Sequence, residues 1–217
     1  MSKPAIVYFP VKGAAEVIRL TLAAAGVDFE NENLPGTEVL KQDLDTYSFG
    51  QCPRYHDADC DLVQTPAILR YLARKHDLYG GSGSIVEQAR IDQLLDGMQD
   101  LRPKIMPLVY RDAFQTDEAR AEFWGTHAEP EAAKGQCRGA HMLYIDAFVA
   151  KHGKDGFAVG GQLSVADLVL FDLVELHQRV FGERFDKQYP AMAAHHAKIG
   201  VLPAVADYLA SALRPEK

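Results

Sequence analysis

The sequence predicts a two-domain protein. An α+β unit of βαβ–ββα order spans residues 1–79, a linker spans 80–84, and an all-helical unit spans 85–217. Three observations predict this. Short β-branched and aromatic runs, which read as strands, are confined to the first part of the chain. "GGSGS" (80–84) is five small, flexible residues in a row. Beyond it the strand signal stops and apolar residues recur at helical spacing.

Taken in order, "AIVYF" (Ala5 to Phe9) reads as the first strand, ended by Pro10 and Gly13. "AAEVIRLTLAAAG" (Ala14 to Gly26) reads as a helix, with Val17, Ile18, Leu20 and Thr21 at helical spacing and Gly26 as its stop. "VDFENENL" (Val27 to Leu34) reads as a second strand, set parallel to the first by the crossover helix. Residues 35–50 are irregular. Arg54 to His56 and Asp61 to Val63 form a hairpin over "DAD". Thr65-Pro66 then starts a helix that runs to about His76, with threonine as N-cap and proline at the first helical position. In the second unit the pattern predicts helices over 85–112, 132–152, 165–181, 192–199 and 204–213. "SVAD" at Ser164 to Asp167 has the form of a capping box. Segment 116–134 is polar and carries no clear element, and Pro103 and Pro107 predict a kink in the first long helix.

Composition limits the function. The formal net charge of -7 argues against nucleic acid or an anionic membrane as partner. The sequence shows neither a targeting segment nor a membrane span, so a cytoplasmic protein is expected. Three cysteines (Cys52, Cys60 and Cys137) form no even set and no Cys-x-x-Cys, which predicts reduced thiols. The eight histidines have no helical metal-ligand spacing, so no metal is expected. His195 and His196 read as a surface pair.

Six motifs in order carry a resemblance that covers nearly the whole chain: "YFPVKG", "GQCPRY", "QTPAILRYLAR", "LYG", "DGMQDLR" and "FAVGGQLSVADLVLFDLV". Together they resemble a cytosolic glutathione transferase of the tyrosine type, most similar to the pi class, with the sigma class next. The resemblance implies a thioredoxin-like first domain and an all-helical second domain. It implies a homodimer, with no permanently bound cofactor and with glutathione as co-substrate. The other substrates would be hydrophobic, electrophilic small molecules, as in detoxification.

The resemblance also assigns roles. Tyr8 is the catalytic tyrosine. Gln51, Cys52 and Pro53 lie at the cis-proline turn, where the backbone of Cys52 would pair with the cysteinyl backbone of glutathione. Gln64 and Thr65 would hold the γ-glutamyl carboxylate at a helix N-terminus. Lys41 is a possible cationic clamp. Asp100 would reach the γ-glutamyl amine bound to the other subunit. Phe9, Val11 and Tyr110 would line the electrophile pocket, and Phe49 would be the aromatic key of the dimer. Asp167 would be a buried structural cap. Cys52 reads as packing or as an oxidation-sensitive thiol.

The chemistry is of plausible size. The thiolate is the nucleophile, and a tyrosine hydroxyl that donates to it lowers the thiol pKa. A shift of about two units needs about 2.7 kcal/mol, and one hydrogen bond to a charged group contributes about 1.5–3 kcal/mol. Among the departures from the pi pattern, Ala14 stands where an arginine is common, and the tryptophan of the glycine-carboxylate clamp is missing. They keep a second reading open, a non-catalytic glutathione-binding or scaffold member of the fold. Isomerase or peroxidase chemistry on the same thiolate is a third.

Overall fold

The computed structural model describes residues 3–80, 84–134 and 139–216. Linker residues 81–83 and Cys137 lie outside them. The chain forms two compact units, one of Met1–Leu78 with Val201–Lys217, the other of Tyr79–Gly200.

The first unit is built on a four-stranded mixed sheet of order β2-β1-β3-β4. Strand β1 (Ala5–Tyr8) pairs parallel with β2 (Glu30–Asn33) and antiparallel with β3 (Arg54–His56), which pairs antiparallel with β4 (Asp61–Val63). Ala5, Ile6 and Val7 are all buried, although successive side chains face opposite sides of a sheet, so β1 is covered on both faces. β2 carries only exposed Glu and Asn, a polar edge that discourages pairing with other chains.

A 3-10 turn (Gly13–Ala15) leads into α1 (Glu16–Ala24). That helix ends as the sequence predicts. Gly26, at φ +67°, donates to Ala23 O, and Val27 N donates to Leu22 O, a Schellman pair that satisfies two terminal carbonyls. A short α2 (Val39–Gln42) occupies the irregular stretch. Helix α3 (Thr65–Lys75) packs on α1. Its N-cap is Gln64 and Thr65 is the first helical residue, so Thr65 is not the cap and Pro66 is one position further in than expected. The β3–β4 turn is tied to α3 through Asp57, which accepts from Tyr55 Oη (2.7 Å) and Lys75 Nζ (2.8 Å).

The second unit is helical: α4 (Ile85–Tyr110), α5 (Asp117–Phe123), α6 (Pro130–Ala133), α7 (Met142–His152), α8 (Val165–Phe181), α9 (Glu183–Gln188) and α10 (Pro190–Gly200). α4 runs through Pro103 and Pro107 as one 26-residue helix. α4 packs on α7 and α8, and α8 packs on α10. Arg102 donates to Asp172 Oδ2 from Nε (3.1 Å) and Nη2 (2.8 Å), fastening α4 to α8 in the core. The polar segment 116–134 forms α5, a π-helical turn (Trp124–Ala128) and α6. Helix α7 therefore starts at Met142 rather than near residue 132.

Residues 201–217 depart from the expected division. They belong to the first unit, where α11 (Pro203–Leu209) packs on α1. The reason is a buried charge. Glu16, fully buried, accepts from Tyr208 Oη (3.0 Å) and Arg214 Nε (2.8 Å), as well as from Arg19 Nη1 (3.4 Å). A buried carboxylate is tolerated only when paired and hydrogen-bonded, so α11 and the residues after it supply what Glu16 requires.

Candidate glutathione site

The chain leaves β1 at Tyr8 and turns at once. Val11 N donates to Phe9 O (2.7 Å), and Gly13 takes φ +45°. This brings Ala14 back over the Tyr8 ring, where Ala14 N donates to Tyr8 Oη at 3.2 Å. Gly13 permits the approach. A Cβ on Gly13 would lie 2.7 Å from Tyr8 Oη and 2.8 Å from Cε1. Sequence reading took Gly13 only as a strand terminator and missed this role; the signal was a glycine five residues after the catalytic candidate.

The same Ala14 receives α3. Thr65 Oγ1 donates to Ala14 O at 3.2 Å. The N–H of Thr65, in the first turn of α3, has no helical acceptor and lies at the positive end of the helix dipole. Gln64 holds φ +76°, a region that costs a non-glycine residue about 1–3 kcal/mol and that concentrates at functional sites. Gln64 Nε2 donates to Gln51 Oε1 at 3.3 Å, which connects the helix start to the turn before β3. The Cys52–Pro53 bond is cis, and Cys52 lies outside the ladder that begins at Arg54.

The structure therefore brings Tyr8, Thr65, Gln64 and Gln51 into a connected set, with Cys52 and Pro53 following Gln51 directly in the chain. Lys41, exposed at the end of α2, lays its amine beside Gly50, 3.0 Å from where a Cβ would sit. Gly50 holds φ +60°, a backbone conformation in which a side chain would be strained. Burial raises the pKa of the half-buried Cys52 thiol, which opposes thiolate formation there.

Phe9 is half-buried and meets Tyr8 edge to face, with ring centroids 5.2 Å apart. Val11 is half-buried, and Arg19 Nη1 donates to its carbonyl and to that of Lys12, both at 3.2 Å. Arg19, 1% exposed, was another residue that sequence reading missed. Phe49 is 67% exposed, a large aromatic with no cover in the single chain. Asp100 and Tyr110 lie on α4 in the second unit. Asp100 is exposed, and the Arg179 guanidinium stands 5.8 Å from the Tyr110 ring centroid.

Two expectations for the second unit are corrected or extended. The His195–His196 pair is not a surface pair. His195 is 5% exposed and its Nε2 lies 2.9 Å from Asp167 Oδ1, while His196 stacks on Phe171 with centroids 4.2 Å apart. The helical face that carries them turns inward. Asp167 also accepts from Ala158 N (2.6 Å), Ser164 N (2.8 Å) and Ser164 Oγ (2.9 Å), so it both closes the capping box and anchors the preceding loop. Among the described residues no group of three or more His, Cys, Asp or Glu side chains could hold a metal ion.

Comparison with known proteins places this geometry. A profile of the glutathione S-transferase N-terminal domain matches residues 4–74, and one of the glutathione S-transferase C-terminal domain matches residues 99–212. The chain is 33% identical over 208 residues to glutathione S-transferase P of Bos taurus, covering 95% of this chain and 91% of the relative. It is 31% identical over 207 residues to a glutathione S-transferase of Dirofilaria immitis, covering 94% and 91%. A solved pi-class glutathione S-transferase of Onchocerca volvulus superposes with a TM-score of 0.77 at 25% identity, covering 96% of this chain and 92% of that one. With a family domain matched over each half and relatives aligned almost end to end, the chain belongs to the glutathione S-transferase family.

Proposed function

We propose that this chain is a tyrosine-type glutathione transferase in which Tyr8 holds the sulfur of glutathione as a thiolate. The observation that carries this reading is the state of the Tyr8 hydroxyl. Toward Ala14 N it accepts, so its own proton remains for a ligand. The accepted bond polarises the O–H and strengthens it as a donor. A thiolate that receives this bond is favoured over the thiol, and the thiol proton passes to solvent. The sulfur lone pair then attacks the electrophilic atom of a hydrophobic substrate. A carbon–sulfur bond forms, and the leaving group, where there is one, departs with its electron pair.

The rest of the site serves binding. In this reading the Thr65 N–H and hydroxyl, with Gln64, take the γ-glutamyl carboxylate. The hydroxyl must turn from Ala14 O to do so. The Cys52 backbone takes the cysteinyl unit of the tripeptide. Lys41 is the cation on the glycine side, Asp100 acts across a homodimer keyed by Phe49, and Phe9, Val11 and Tyr110 favour hydrophobic electrophiles. Residues 1–79 act as the glutathione-binding domain and 85–217 supply the electrophile side, apart from the C-terminal residues that pack on α1. No helix among the described residues is long and apolar enough to cross a membrane, Cys52 and Cys60 are free thiols, and we assign the protein to the cytoplasm.

The deciding measurement is the ultraviolet thiolate absorbance of bound glutathione across pH, in the wild type and in Tyr8→Phe. A thiol pKa about two units below that of free glutathione, restored in the variant, is the expected result. Glutathione that binds without a shift would leave a binding protein without activation chemistry.

A further inference from the structure

We propose that Arg19 is a positioning residue for Tyr8, and that its guanidinium holds the turn in which Ala14 N–H meets the tyrosine hydroxyl. The inference rests on the activating role proposed for Tyr8.

The turn that carries Ala14 back over the Tyr8 ring passes through Gly13, at φ +45°. Glycine imposes little conformation of its own, so the approach of Ala14 has to be fixed from outside that residue. Arg19 supplies the tie. Its Nη1 donates to two successive carbonyls of the turn, Val11 O and Lys12 O, both at 3.2 Å. Only Gly13 separates the second of these residues from Ala14.

The guanidinium is itself held. Nε donates to Asn31 Oδ1 on β2 at 2.7 Å, and Nη1 also donates to Glu16 Oε2 at 3.4 Å. The Arg19 side chain is buried, so leaving these acceptors would strand a charge in the interior. The C-terminal segment braces both supports. Asn31 Nδ2 donates to Leu213 O at 2.9 Å, and Glu16 accepts from Tyr208 and Arg214.

These bonds are compatible with a loaded site. When the Thr65 hydroxyl turns to the ligand, Ala14 loses that bond at its carbonyl. The Arg19 bonds involve no group assigned to glutathione and stay in place. The turn then keeps Ala14 N–H on Tyr8 Oη, and the hydroxyl proton is left for the sulfur. Arg19 acts on the sulfur only through Tyr8.

The test follows the thiolate absorbance of bound glutathione from pH 6 to 9 in the full-length protein, together with kcat/KM for an aryl halide at saturating glutathione. The variants are Arg19→Lys, Arg19→Met, Tyr8→Phe and the double variant Tyr8→Phe/Arg19→Lys. Lysine keeps the positive charge beside Glu16, but its single ammonium cannot occupy the places of both Nε and Nη1. In Arg19→Lys the bound-thiol pKa should rise by about one unit, with kcat/KM about tenfold lower at pH 6.5, recovery toward pH 9, and a glutathione Kd within about threefold of the wild type. Arg19→Met should shift at least as far; if it does not fold, Arg19→Lys decides alone. The double variant should match Tyr8→Phe. An unshifted thiol in Arg19→Lys, or a loss of rate uniform across pH, would overturn the proposal and reduce Arg19 to a structural role. A further shift on top of Tyr8→Phe would overturn it in favour of a direct effect on the sulfur. No shift in Tyr8→Phe itself would remove the activating role of Tyr8, and this inference with it.

Discussion

Tyr8 and Thr65, 57 positions apart in the chain, meet the two backbone groups of one residue: Ala14 N–H donates to the tyrosine hydroxyl at 3.2 Å, and Ala14 C=O accepts from the threonine at 3.2 Å. The tyrosine proposed to activate and the helix start proposed to bind are therefore positioned by the same turn. A disturbance of residues 11–14 should reach both.

Tyr8→Phe removes the donor and keeps the ring and its edge-to-face packing on Phe9. The bound thiol pKa should rise by about two units, and kcat/KM at pH 6.5 should fall by about 10- to 100-fold with little change in glutathione Kd. Steady-state kinetics with an aryl halide, alongside equilibrium binding, check this.

Gly13→Ala tests the turn. Its Cβ would sit 2.7 Å from Tyr8 Oη at a φ of +45°, so either the ring or the turn must move. Gly26 also has a positive φ, but a Cβ there meets nothing within 4 Å. Gly26→Ala should cost about 1 kcal/mol of stability from its backbone alone and leave kcat unchanged. Gly13→Ala should cost more and lower kcat as well. Urea unfolding and kinetics on the two variants separate strain from misplacement of Tyr8.

Glu16→Gln leaves Arg19 and Arg214 without their shared carboxylate in a buried setting. Removing one partner from a buried ion cluster costs about 3–5 kcal/mol. Tyr208→Phe, which loses one hydrogen bond to the same carboxylate, should cost about 1–3 kcal/mol. Chemical denaturation gives both values. Limited proteolysis should show the C-terminal residues released first in Glu16→Gln.

Stability should fall on the acid side of neutrality. His177 is fully buried, with its Nδ1 2.7 Å from Leu173 O, and burial lowers its pKa from 6.5 to about 4. Below pH 6.5 the unfolded chain takes up a proton that the folded chain refuses, so stability is lost from about pH 6.5 down to about pH 4. The loss from this residue between pH 7.5 and 5.5 is on the order of 1 kcal/mol. His141, whose pKa burial also lowers, adds a loss of the same sign. Denaturation of His177→Phe at the two pH values should show a correspondingly smaller difference than the wild type.

Phe49→Asp tests the proposed dimer. At 67% exposure the ring gains little in an isolated chain, so the monomer should fold unchanged. Sedimentation velocity at micromolar concentration should show a dimer for the wild type and a monomer for the variant. An unchanged sedimentation coefficient would remove Phe49 from the interface.

Much of this molecule is legible in its sequence because the signals are local. The helix over 165–181 is bounded by the Ser164–Asp167 box and by Gly182, and its apolar run allows only a buried helix. The β1–α1–β2 order, the 54–63 hairpin and the Gln64–Thr65 helix start follow from strand propensity and turn chemistry within a few residues. Segment 116–134 was not legible, because its short helices and π-helical turn have little amphipathic period to read. Thr65 was misread as the cap because threonine and proline are both frequent at helix starts, and the left-handed backbone of Gln64 leaves no trace in composition.

What the sequence determined by itself was the order of elements in the first unit and the family. What only the tertiary structure decided were the relations between distant groups. Glu16 is paired in the interior only because Tyr208 and Arg214, nearly two hundred residues later, close on its carboxylate. His195 reads as surface until Asp167 receives its Nε2. Gly13 reads as a turn until the Tyr8 hydroxyl occupies the place of its missing Cβ. The physical reason is the same in each case. Propensity and periodicity act over a few residues, whereas the cost of burying a charge or filling a space depends on what the rest of the chain brings to that point.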